Sequence, residues 1–66
     1  MLTYEALLSR PEHLTYVRAA RTEIERLGGS VRFYPPNKTG LTLVEVRLPA
    51  AVRLESILPG LPFTLV

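Results

Sequence analysis

The residues able to carry chemistry in this chain are few, and their spacing works against a catalytic centre. His13 is the only histidine, there is no aspartate, and all six acids are glutamate. On a helical pattern His13 falls one turn before Val17, with no acid placed to orient its ring as a general base requires. It reads as a structural or simply exposed residue. Cysteine is absent, which excludes disulfides, thiolate nucleophiles and cysteine-based metal sites. No nucleophile–base pair or metal-ligand cluster remains, so the expectation is a non-enzymatic chain that holds no metal and no cofactor.

The cations are the next candidates. Arg18, Arg21 and Arg26 lie along one helical stretch and resemble a phosphate-binding stripe, but Glu23 and Glu25 interleave with them. Arg21 and Glu25 form an i,i+4 pair, the pattern of a solvated helix face. Eight cations against six glutamates leave a formal charge of +2. The high isoelectric point follows because almost nothing titrates between glutamate and arginine. The cations are spread singly, so no specific nucleic-acid partner is expected.

Those residues must be positioned by elements, and the elements are legible. Across residues 1–8, Leu2, Tyr4, Ala6 and Leu8 alternate with Thr3 and Glu5, which predicts a strand with one buried face. Ser9 and Glu12 have the spacing of a capping box, with Pro11 in the first turn. Leu14, Val17, Ala20, Ile24 and Leu27 then share one side of a helix, which Gly28-Gly29 ends. Residues 30–35 predict a second strand, with Val31 and Phe33 inward and Arg32 and Tyr34 outward. Residues 35–40 are dense in turn formers. Residues 41–48 predict a third strand in which Thr42, Val44, Val46 and Leu48 face opposite to Leu41, Leu43, Glu45 and Arg47. Pro49 fits the first position of a short second helix carrying Ala51, Leu54 and Ile57 or Leu58, and Pro59-Gly60 breaks it. Residues 61–66 predict a last strand with Leu61, Phe63 and Leu65 inward. Val44, Val46, Phe33, Ile24 and Phe63 are the expected core.

Strand, helix, strand, strand, helix, strand is the order of the α+β, ferredoxin-like βαββαβ sandwich. It predicts one domain over residues 1–66: a four-stranded antiparallel sheet in the order fourth, first, third, second, with both helices on one face. That fold hosts many functions, so its sites must decide. The loop after the first strand, Ser9-Arg10-Pro11, lacks the cysteines of a metal-binding tenant and the glycines of an anion cradle. The first and third strands show no stacking aromatics of the kind RNA-recognition motifs use. The open sheet face is more informative. Strand parity puts Thr3, Glu5, Arg32, Tyr34, Leu41, Leu43, Glu45, Arg47 and Thr64 there. This mixture suits either a solvated face with cross-strand ion pairs between Glu5 or Glu45 and Arg32 or Arg47, or a protein-docking face.

The chain also resembles the subtilisin propeptides and the stand-alone peptidase inhibitors related to them, which are single ferredoxin-like domains of similar length. The resemblance is carried by Leu27-Gly28-Gly29-Ser30-Val31, by Gly40-Leu41 leading to Leu48-Pro49, and by Leu54 with Leu58-Pro59-Gly60 before Leu61-Pro62-Phe63-Thr64-Leu65-Val66. It implies that the open sheet face docks on a protease through Glu5, Arg32, Tyr34, Leu43, Glu45 and Arg47. In that family a C-terminal tail enters the substrate cleft; here Val66 closes the fourth strand, unless Thr64-Leu65-Val66 frays to serve as that tail. The chain is therefore expected to be either a protein-binding module, protease-inhibitor-like in its form, or a small self-associating ligand-binding or regulatory domain. No apolar run is long enough to span a membrane and no secretory signal is visible, so the expected setting is cytoplasmic.

Overall fold

Alternation at the N-terminus builds the first strand. In a computed structural model describing Met1–Val66, β1 spans Leu2–Leu8. It buries Ala6 and Leu8 and exposes Leu7 between them, the two-residue period of a strand covered on one face. Pro11 then decides where the helix starts. The residue before a proline is driven to extended backbone, and Arg10 has φ −86° and ψ 127°. Helix α1 therefore runs Pro11–Arg26, with Arg10 as its N-cap and no side chain capping it. The expected capping box does not form, because Ser9 lies one residue too early. Glu12 instead approaches Arg10 at 3.7 Å.

At its other end α1 closes in a Schellman motif. Gly28, at φ +90°, donates its N–H to the Glu25 carbonyl at 3.0 Å, and Gly29 donates to Ile24 at 2.9 Å. Gly29 has a second task. A Cβ there would overlap the Arg47 carbonyl oxygen and press Ile24 and Leu48 at 3.0 Å. Only glycine lets the chain leave the helix this close to the sheet.

Strand β2 (Ser30–Phe33) and strand β3 (Thr42–Leu48) form a hairpin. Its loop is organised by Asn37, whose Oδ1 accepts from the Thr39 N–H at 2.9 Å, the Thr39 hydroxyl at 2.7 Å and the Leu41 N–H at 3.0 Å. With β4 (Thr64–Leu65), the strands make one antiparallel sheet in the order β2-β3-β1-β4, the order the element pattern predicts. Val17 and Ile24 of α1 are fully buried against Ala6, Leu8, Val44 and Val46 on one sheet face. The chain is thus α+β, with one helix over a four-stranded antiparallel sheet. Of the expected core, Val44, Val46 and Ile24 are buried, whereas Phe33 and Phe63 are only partly buried at its margin.

The second helix is the main correction. Pro49 begins a single turn closed by Val52 N–H to its carbonyl at 2.9 Å, and Arg53 then returns to extended backbone. Beyond Arg53 the chain makes only one 3-10 turn, Leu54–Ser56. Fewer than about 12 residues between two prolines is marginal for helix nucleation. The Ser56 hydroxyl donates to the Arg53 carbonyl at 2.7 Å, giving the backbone a local alternative. The apolar spacing still does its work: Leu54 and Leu58 are buried, while Ala51 is exposed. The last strand is also shorter than expected. Pro62 has no N–H to give to a ladder, and Phe63 bonds back to Leu61 at 2.9 Å, so pairing is confined to Tyr4–Leu65 and Glu5–Thr64. Leu65, expected inward, is 60% exposed on this two-residue edge strand.

Candidate functional site

Directly opposed residues of antiparallel strands project on the same side of a sheet, so the pairing register draws the helix-free face as three rows. The first is Arg32–Glu45–Glu5–Thr64 across β2, β3, β1 and β4; the second is Ser30–Arg47–Thr3. The third begins at Tyr34, whose N–H bonds the Leu43 carbonyl at 3.0 Å, and continues through Leu43 to Leu7. Every residue expected on the docking face, namely Glu5, Arg32, Tyr34, Leu43, Glu45 and Arg47, belongs to this one grid. Leu41 stands apart, before β3, in the turn that Asn37 closes. Sequence reasoning passed over Leu7, which is 53% exposed beside Leu43. The signal for it was present, since it continues the parity of Thr3 and Glu5.

The charges pair differently from the expectation. Glu45 meets Arg47 at 3.6 Å, two residues along the same strand rather than across strands. The Glu45 side chain is only 15% exposed and the Arg47 side chain 56%. Arg32 lies over the Tyr34 ring, 5.4 Å from its centroid, a cation–π contact, and reaches no carboxylate. Glu5 stands directly opposite Glu45 in the ladder and has no ionic partner. The face therefore holds one satisfied ion pair flanked by two unsatisfied charges of opposite sign, with an apolar row alongside.

The rival sites offer less. Arg21 pairs with Glu25 at 3.5 Å. Arg26 holds Glu23 through Nε at 3.1 Å and Nη2 at 2.8 Å, and that hydrogen-bonded carboxylate raises the guanidinium pKa above its ordinary value. Arg18 covers the Phe33 ring at 5.2 Å. The helix arginines are thus engaged in the chain's own contacts. His13 is half-buried on α1, and nowhere do three or more His, Cys, Asp or Glu residues gather in a group able to hold a metal. A shallow groove between α1 and the 3-10 turn, floored by Ala19, Ala20 and Ile57, lies beside the segment where the second helix was expected. No helix is long and apolar enough to cross a membrane. In comparisons with known proteins, no family model, no curated protein and no solved structure matches the chain.

Proposed function

We propose that this chain is a non-enzymatic protein-binding module that docks a partner polypeptide on its helix-free sheet face. Its architecture is read as ferredoxin-like with the second crossover helix reduced to a single 3-10 turn; the strand order β2-β3-β1-β4 supports that. The observation that carries the functional reading is the grid itself. The exposed Leu7 and the half-buried Tyr34 and Leu43 form an apolar row beside a row of charges, on the sheet face opposite α1. Aromatic and arginine residues are enriched at such contacts, and a mixed face of this kind gives both desolvated area and orientation. A cytoplasmic setting fits a chain of this size that uses no cysteine.

The experiment is sedimentation of the fluorescently labelled chain in extract of its source cells. The parent is expected to show a fast-sedimenting fraction that Leu43→Glu removes and that Tyr16→Glu, on the helix side, leaves in place. The reverse pattern overturns the reading. The resemblance to subtilisin propeptides nominates a protease as the occupant, with the exposed Leu65 of the two-residue β4 and the exposed Val66 after it as the segment that would reach a cleft. Inhibition of a subtilisin-class protease, lost in Leu43→Glu, tests that form.

A further inference from the structure

Two charges on the docking face lack ionic partners, Glu5 on β1 and Arg32 on β2. They stand one strand to either side of Glu45, in one row, at equal spacing from β3. This placement has a symmetry that a foreign partner does not require. A two-fold axis lying in the interface plane and running along β3 exchanges the positions of β1 and β2. Each Glu5 then faces Arg32 of the second copy, and each Arg32 faces Glu5 of the second copy.

We propose that the occupant of the sheet face is a second copy of this chain, packed face to face about such an axis; the inference rests on the docking-face reading above. The same operation lays like rows on like rows. Leu43 meets Leu43 of the second copy, and Leu7 meets Tyr34 of the second copy, so the apolar row is covered by its own image. Glu45 and Arg47 fall on the axis and face their own images, a like-charge opposition that the intrachain Glu45–Arg47 pair at 3.6 Å offsets. Association also relieves a local conflict. Glu5 and Glu45 are opposed in the ladder, an arrangement unfavourable within one chain, and Arg32 of the second copy supplies the missing cation. A closed isologous pair of this kind requires that each patch be its own complement, as Arg32 and Glu5 at the two ends of the row are in charge.

The area sets the strength. About an axis along β3 only β2, β3 and β1 overlap their images, and three strands about 4.8 Å apart with seven residues at about 3.3 Å give a contact of roughly 10 by 20 Å. A footprint of that size lies well below the roughly 1,200–2,000 Å² of standard specific interfaces, so the pairing is weak and concentration-dependent. The experiment is analytical ultracentrifugation of the full chain from micromolar to about 1 mM, with melting curves to confirm that each variant is folded. The parent is expected to pass from monomer to dimer across that range, and more readily at low salt. Glu5→Arg alone and Arg32→Glu alone each place two like charges in both symmetry-related contacts, and each should weaken association by about tenfold or more. An equimolar mixture of the two variants restores both contacts and should form a one-to-one dimer within about threefold of the parent affinity. The double variant Glu5→Arg/Arg32→Glu should again dimerise with itself.

Single variants that dimerise like the parent, or a mixture that stays monomeric, overturn the proposed symmetry. A parent that remains monomeric at the highest concentration overturns the second copy as occupant. If its complex in extract is still removed by Leu43→Glu, the docking face stands with a different protein on it; if that complex is indifferent to Leu43→Glu, both inferences fall.

Discussion

Replacing Gly29 by alanine separates two explanations of why a glycine stands there. Its backbone is not in the left-handed region, unlike Gly28, Gly40 and Gly60. Conformational preference alone therefore makes Gly29→Ala neutral or slightly stabilising, by roughly 0.4–1 kcal/mol through the unfolded chain. Packing says the opposite. The new Cβ would overlap the backbone oxygen of Arg47 and press Ile24 Cγ2 and Leu48 Cδ2 at 3.0 Å. A carbonyl in the middle of a ladder does not swing aside as a long side chain does. Relief requires lifting the start of β2 from β3 where Ser30 opposes Arg47. Overpacking of this kind costs about 1–3 kcal/mol, and each disrupted backbone hydrogen bond adds about 1 kcal/mol. The expected loss is about 3 kcal/mol, equivalent to a fall in Tm of roughly 10–25 °C for a chain of this size. At Gly40, where a Cβ meets nothing within 4 Å, only the left-handed backbone is penalised, by about 1 kcal/mol. Thermal and urea melts of Gly29→Ala and Gly40→Ala, followed by circular dichroism, check the order. A Gly29→Ala variant that melts within a few degrees of the parent, or above Gly40→Ala, refutes the close approach of helix end and sheet.

Ile24→Ala, at a fully buried site, should cost about 3 kcal/mol, while Phe63→Ala, at the core margin, should cost about 2 kcal/mol; urea midpoints at constant m-value rank the two. Asn37→Ala removes an acceptor used by three donors in the hairpin loop and should cost about 1 kcal/mol, whereas Asn37→Asp keeps the acceptor and should lie within about 0.5 kcal/mol of the parent. Single-stranded RNA or DNA should bind weakly at low salt and be lost near physiological salt, because the helix arginines are already paired or stacked. Fluorescence anisotropy showing a micromolar complex at that salt contradicts this.

What was legible in the sequence is what local rules write there. The period of two in β1 and β3, the period of 3.6 in α1 and the glycine ending α1 needed no partner to be read, and together they fix which sheet face is left open. Misplacements arise where two local rules compete. Ser9-x-x-Glu12 obeys the capping pattern, but Pro11 forces Arg10 out of helical backbone and moves the start by one residue. Residues 49–59 have helical apolar spacing but too little length to repay nucleation, so only Leu54 and Leu58 keep their assigned place. Contacts between distant segments leave no local trace. The approach of Gly29 to Arg47, and the pairing of Glu45 along its strand with Arg47 rather than across it, emerge only from register. Leu7 differs from these, because parity alone places it outward with Thr3 and Glu5, and the register then sets it beside Leu43.

The most direct test of the docking face is site-specific photocrosslinking in the source cells, with a photoreactive residue at Leu43 and, separately, at Thr22 on the exposed side of α1. Adducts to a second polypeptide, or to another copy of the chain, are expected from position 43 and not from position 22. Adducts from position 22 with none from position 43 would contradict the assignment of the helix-free sheet face as the surface that binds.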